Sequence, residues 1–215
     1  MAKKSNIEKQ GLYNPSKEHD ACGVGFVANI HGKKSHEIVA QGLTILDNLT
    51  HRGATGYDPK LGDGAGLLSQ ISHEFFLAEA GFKLPEFGHY GIGMLFLPQD
   101  DTLRNEVETL IEKIVEEEGQ KTLGWRDVPV DNSDIADAAK EVEPVIKQIF
   151  IQRSSECDKH TAFERKLFVI RKRIEIAVNK LSLEDSAKFY IPSMSSRTIV
   201  YKGMLLAAEV GVYFK

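Results

Sequence analysis

An α+β or layered α/β domain is the fold class that this sequence predicts, on three observations. Short apolar runs with period-two alternation recur along the chain, as strands require. Between them lie stretches whose apolar residues return every three or four positions, as on one face of a helix. Near the end, two strand-like runs are separated by only Ser195-Ser196-Arg197, a spacing that suits a hairpin. With 215 residues, 42% of them hydrophobic, the chain can bury the substantial core of one domain.

The first predicted strand runs from Val24 to Ile30, with Val24, Phe26, Ala28 and Ile30 on one side and Gly23, Gly25 and Val27 on the other. It reads as buried on both faces, with a turn at Asn29-Ile30-His31-Gly32. Ser35 then opens a helix carrying Ile38, Ile45, Leu46 and Leu49 on one side, which runs out at Thr50-His51-Arg52-Gly53. Gly53 and Gly56 suit a loop that returns the chain toward the sheet. Gly62-Asp63-Gly64-Ala65-Gly66 leads into a strand from Leu67 to Ile71. A dinucleotide-binding loop follows a strand and opens a helix, the reverse of this order, so that reading is rejected. The glycines predict tight packing near the first strand, with Asp63 bonding the loop backbone.

Ser72 to Ala80 predicts a short helix stopped by Gly81, and Tyr90 to Leu97 a buried strand stopped by Pro98. Leu103, Val107, Leu110, Ile111 and Ile114 mark an amphipathic helix ending near Gly119, with Glu116-Glu117-Glu118 on its solvated face. Thr122 to Val130 and Val145 to Ile151 read as strands. Thr161 and Glu164 have capping-box spacing at the head of a helix along Phe163, Leu167, Ile170, Ile174, Ala177 and Leu181. Its Arg171-Lys172-Arg173 cluster is expected to face solvent. Phe189 to Met194 and Thr198 to Tyr201 are the two strands of the expected hairpin.

Composition removes several functions. A net charge of -4 lacks the cationic excess of a general nucleic-acid binder. No stretch approaches the roughly 20 apolar residues of a membrane span, and Met1 to Lys9 lacks the apolar run of a secretory signal. Two cysteines, Cys22 and Cys157, form neither a disulfide scaffold nor a structural zinc site. Cys157 lies in a polar run and is expected to be a surface thiol. These features fit a reducing cytoplasm.

Cys22 is different in its setting. The charged run Glu18-His19-Asp20-Ala21 ends against it, and Gly23 and Gly25 leave room beside it for a substrate or another backbone. On chemistry alone an unpaired cysteine is as readily a small buried hydrophobe as a nucleophile. Residues 1–21 have little to bury and read as a terminal tail.

Four blocks shift that balance. Glu18 to Ile30, Leu46 to Gly56 (Leu-Asp-Asn-Leu-Thr-His-Arg-Gly-Ala-Thr-Gly), Gly62 to Gly66 and Tyr190 to Leu205 resemble, in order, the glutaminase domain of the glutamate synthase family, a class II glutamine amidotransferase. The resemblance implies a four-layer α/β/β/α sandwich of the N-terminal-nucleophile hydrolase type, occupying residues 22–215 and incomplete at its C-terminus. It implies that residues 1–21 are a propeptide cut between Ala21 and Cys22, and that the Arg52-Gly53 loop borders the nucleophile. An exposed arginine by itself is equally a surface ion pair.

Glutamine hydrolysis needs a nucleophile for a poorly reactive carboxamide, and at the ordinary thiol pKa near 8.5 only a few per cent is thiolate at pH 7. A base must help. None of His31, His36, His51, His73, His89 or His160 has a spacing that demands a Cys-His pair. The resemblance implies that the freed α-amine of Cys22 is the general base, titrating near 7.7–8.0. A chain that retains residues 1–21 has an amide there, so it is expected to be an inactive precursor.

The resemblance further implies that ammonia from L-glutamine passes to 2-oxoglutarate in a longer protein. That protein holds FMN and an iron-sulfur cluster and takes electrons from a small subunit with NADPH or from ferredoxin. No cofactor is expected in residues 1–215. The family's carboxylate-binding arginine and Asn-Gly oxyanion hole match no position here, so this piece alone is expected to show little glutaminase activity. Two alternatives stand beside this reading. One is another class II amidotransferase, and the other a non-catalytic segment acting in binding or assembly.

Overall fold

The computed structural model describes residues 23–53, 58–181 and 189–215. The leader, the Ala21-Cys22 bond, Cys22 itself and Gly56 lie outside the described residues. Among those described, the strands form two antiparallel sheets. The smaller pairs β1 (Ala65–Gln70) with β6 (Thr198–Gly203). The larger has the order β3-β4-β2-β5, from Lys121–Asp127, Val145–Gln152, Tyr90–Leu97 and Tyr190–Ser195.

The larger sheet is buried on both faces, which is why β2 and β4 read as nearly continuous apolar runs. On one face Leu95, Leu97, Ile149, Ile151 and Ile191 meet two helices, α3 (Asp101–Glu117) and α5 (His160–Asn179). Those helices contribute Val107, Ile111, Phe163, Leu167, Ile170 and Ile174, all with 0% exposure. Each such side chain gives about 1.5–3 kcal/mol on burial. The spacing along α5 (163, 167, 170, 174, 178) is one helical stripe. α3 is started by Asp100, whose carboxylate accepts from Leu103 N at 2.8 Å.

The other face carries Tyr90, Ile92, Met94, Ile146 and Phe150 and meets the smaller sheet through Ile199 and Tyr201. The helices α1 (His36–Asn48) and α2 (His73–Glu79) border this second core through Leu43, Leu46 and Phe76. A polar chain crosses between the sheets. Arg126 Nη1 donates to Gln148 Oε1 at 3.2 Å, and Gln148 Nε2 donates to the Tyr201 hydroxyl at 3.4 Å. Gln148 is wholly buried, so these bonds satisfy groups that would otherwise be costly there. Short helices α4 (Asp137–Glu141) and α6 (Val210–Tyr213) complete the elements.

Four expectations are corrected. Residues 23–30 form no strand, and Val24, Phe26 and Ile30 are 90%, 89% and 93% exposed. Alternation tells which side chains share a face, but a strand also needs a neighbour for its N–H and C=O groups, and no described strand supplies one. The expected hairpin at Ser195-Ser196-Arg197 is instead a crossing: β5 pairs with β2 and β6 with β1, in different sheets. Cys157 is buried in the α3/α5 core rather than exposed. Glu164 makes no capping box. It accepts from Ser196 N at 2.6 Å and from Ser196 Oγ at 2.5 Å, fastening α5 to the crossing.

The acidic run also departs from a solvated face at its last residue. Glu118 is partly buried and accepts from Lys166 and Arg173 of α5, both at 2.8 Å. Those two bonds hold its carboxyl below the usual carboxylate range. A depressed carboxyl contributes stability at pH values above its unfolded-state pKa, and that contribution is lost as pH falls through the folded-state value. Glu118→Gln is therefore expected to cost about 1 kcal/mol at neutral pH. The gap from the parent should close on acidification, read by denaturant unfolding at a series of pH values.

Candidate active site

The described segment that begins at Gly23 rests on the end of α1. Beyond Asn48 the helix tightens into a 3-10 turn, Thr50–Arg52. Arg52 N donates to Leu49 O at 2.8 Å and Gly53 N to Thr50 O at 3.1 Å. Thr50 Oγ1 donates back to Asp47 O at 2.7 Å, and His51 Nδ1 lies 3.0 Å from Asn48 O. These local bonds absorb helix-end groups and fix the direction of the Arg52-Gly53 exit.

Gly23 and Gly25 lie against this helix end. A β-carbon on Gly23 would sit 3.1 Å from Arg52 Cβ, 3.2 Å from Arg52 Cγ and 3.2 Å from Leu49 Cδ2. One on Gly25 would fall 2.4 Å from Ile45 Cγ2. The room expected here for a substrate or another backbone is taken instead by side chains of α1 and the turn after it, because these glycines pack onto the helix end. The residue that follows Cys22 in the chain is in contact range of the Arg52 side chain, so two of the sequence-selected positions, Arg52 and Gly53, belong to one neighbourhood with residue 23. Asp63 joins them from the glycine-rich loop, its Oδ1 lying 3.6 Å from where a Gly53 β-carbon would be.

That loop packs elsewhere than expected. A β-carbon on Gly62 would strike the Leu205 carbonyl at 2.3 Å, and one on Gly66 would approach Lys202 Cβ at 2.5 Å. Its glycines fit it against β6 and the chain after it, not against residues 24–30. Leu67 Cδ1 comes within 2.9 Å of a Gly42 β-carbon, which ties β1 to α1. Sequence reading missed Ile45, Leu49 and Asp63 as neighbours. The paired glycines signalled that something approached, but only the fold says what.

Three of the histidines, His73, His89 and His160, are occupied elsewhere. His73 Nδ1 lies 3.0 Å from the Tyr90 hydroxyl, a phenol whose pKa burial pushes up to about 12. His89 Nε2 accepts from Arg153 at 3.1 Å. His160 Nδ1 accepts from Arg197 Nε at 3.0 Å, which leaves Nε2–H to donate to Ser196 Oγ at 3.1 Å, whose own proton goes to Glu164. This Ser-His-Glu cluster is no nucleophile: the imidazole donates to the serine rather than accepting its proton. It fastens the sheet crossing.

Two cysteines are too few for a four-cysteine cluster. Among the described residues no group of three or more His, Cys, Asp or Glu could hold a metal ion, and no helix is long and apolar enough to cross a membrane.

Comparison with known proteins gives the rest. The family model for class-II glutamine amidotransferases matches residues 22–215, beginning at the cysteine. The chain is 46% identical over 206 residues to the glutamate synthase [NADPH] large chain of Bacillus subtilis, covering 95% of this chain and 13% of that protein. It is 42% identical over 200 residues to ferredoxin-dependent glutamate synthase 2 of Arabidopsis thaliana, covering 92% of this chain and 12% of that protein. To glutamate synthase [NADH] of Saccharomyces cerevisiae it is 40% identical over 222 residues, covering 96% and 10%. The chain therefore spans between 10% and 13% of the length of these relatives. With the match running from the cysteine through both sheets, this chain belongs to the class-II glutamine amidotransferases.

Proposed function

We propose that residues 22–215 are the glutaminase part of a glutamate synthase, with Cys22 as nucleophile and its freed α-amine as general base. The observation that carries this reading is that the family match begins at Cys22, the residue whose backbone nitrogen becomes an amine only if the chain is cut after Ala21. The Cys22 sulfur attacks the side-chain carbonyl carbon of glutamine, and the amine takes the thiol proton and passes it to the departing ammonia. Water then cleaves the γ-glutamyl thioester, releasing glutamate and regenerating the thiol. Arg52 and Gly53 support the site by fixing the chain beside residue 23.

In the longer protein the ammonia is consumed in reductive amination of 2-oxoglutarate, with FMN and an iron-sulfur cluster carried outside this segment. Relatives named for NADPH, NADH and ferredoxin resemble this segment to similar degrees, 46%, 40% and 42%. Donor choice therefore belongs to other parts of the polypeptide or to a partner subunit. The two sheets are the inner layers of a four-layer sandwich, with α3 and α5 as one outer layer. A free catalytic thiol suits the reducing cytoplasm.

The test uses the full-length protein with glutamine, 2-oxoglutarate and a reductant. Two glutamates formed per glutamine consumed are expected. Ammonia transfer to a sugar or nucleotide precursor instead would favour another amidotransferase, and no glutamine consumption would overturn the enzymatic reading.

A further inference from the structure

We propose that Gly25 is a positioning residue, which seats the nucleophile's segment on α1 by leaving room for Ile45. The inference rests on Cys22 being the nucleophile. The contact is unusual in what it excludes. A β-carbon on Gly25 would lie 2.4 Å from Ile45 Cγ2, well inside van der Waals contact, while the next nearest atoms, Ile45 Cβ and Cδ1, would be 3.8 Å and 3.9 Å away. One methyl group therefore accounts for the whole clash. That methyl is attached to Cβ, and a β-branched side chain in a helix has one strongly preferred χ1 rotamer, so Ile45 cannot swing aside cheaply.

The helix cannot yield either. Leu67 of β1 presses on it at Gly42, and Leu43 approaches Gly211 so closely that a β-carbon there would lie 3.0 Å from Leu43 Cδ1. Residues 23–30, by contrast, have no strand partners among the described residues. Any side chain at position 25 is accommodated by moving this segment, and Cys22 is three residues from that point. Gly23 lies between them, itself against Arg52 and Leu49. Ile45, Leu49 and Arg52 thus act as three successive rests along one helix end, spaced 45, 49 and 52, and the glycines at 23 and 25 let the backbone reach them. A displacement of about 1 Å at reacting groups can cost on the order of 10²-fold in rate.

The experiment compares Gly25→Ala, Ile45→Ala and the double variant in the full-length protein. Two readouts are used: glutaminase kinetics, and the rate of Cys22 alkylation by iodoacetamide followed by mass spectrometry. Gly25→Ala is expected to lower kcat at least tenfold with KM changed less, and to change the alkylation rate. In the double variant the new methyl meets only the Cβ at position 45, an ordinary contact, so both readouts should return to within about threefold of Ile45→Ala alone. A Gly25→Ala protein with the parent's kcat and alkylation rate overturns the proposal. So does a double variant as impaired as the single one. If Gly25→Ala fails to accumulate folded, recovery of folding and turnover in the double variant supports the proposal, and a double variant equally unfolded overturns it. A parent protein that hydrolyses no glutamine would instead sink the functional reading, while the alkylation rates would still report whether Gly25 and Ile45 set the thiol's place.

Discussion

Cys22→Ala in the full-length protein is expected to abolish ammonia release from glutamine, by a factor on the order of 10⁴ or more. Removing a covalent nucleophile leaves only binding and whatever oxyanion stabilisation the rest of the site offers. The same substitution should block loss of residues 1–21 if, as proposed, the Cys22 thiol serves both to attack glutamine and to attack the bond before it. Both effects are read on one sample, ammonia by a coupled assay and the amino terminus by mass spectrometry. Cys157→Ala is the control. Its sulfur is buried in the α3/α5 core near Gln120 Nε2, at 3.8 Å, so its loss should leave turnover intact and cost only packing. A Cys22→Ala protein that still released ammonia would end the assignment.

The second large effect is on stability. Phe150 has no exposed surface, stands on β4, and contacts Phe76, Phe82 and Tyr90 with ring centroids 5.4, 5.2 and 6.1 Å away. It is where the second core gathers the larger sheet, α2 and the loop after it. Phe150→Ala removes that hub and leaves a cavity lined from β2, α2 and the loop after it, for a loss of about 3–5 kcal/mol. For a domain of this size that lowers the unfolding midpoint by roughly 6–20 °C. Phe150→Leu keeps most of the volume and should cost much less. Thermal unfolding followed by circular dichroism compares the two, and equal shifts would mean that cavity formation is not the cause.

How much of this could be read from the residues depends on which element is asked. α3 and α5 follow their apolar periods closely, because each buries one stripe against the larger sheet, and β2 and β4 read as apolar runs because that sheet is covered on both faces. The misreadings share a different origin. Val24 to Ile30 has the alternation of a strand, yet strand formation is a property of two segments. The run through Ser195-Ser196-Arg197 has hairpin spacing, but the hydrogen bonds from Ser196 to Glu164 and from Arg197 to His160 turn the chain from one sheet into the other. Thr161 and Glu164 have capping spacing, and Glu164 is drawn to that crossing instead. Cys157 sits in a polar run, and only tertiary packing shows that its sulfur points into the core. For the candidate site, the chain suggests the cysteine, its two glycines and Arg52-Gly53, and of these the structure brings Gly23 and Arg52 together. Ile45 and Leu49 read only as the apolar side of a helix and Asp63 only as a loop residue, since their place beside residues 23, 25 and 53 comes from how α1 and the glycine-rich loop pack.

The most direct measurement is the mass of the amino terminus of the native full-length protein before and after treatment with a glutamine-like electrophile. A chain beginning at Cys22 and carrying one label on that residue is the expected result. A chain that retains residues 1–21 and takes up no label, while still consuming glutamine, would contradict the central claim that one residue supplies both the attacking sulfur and the base.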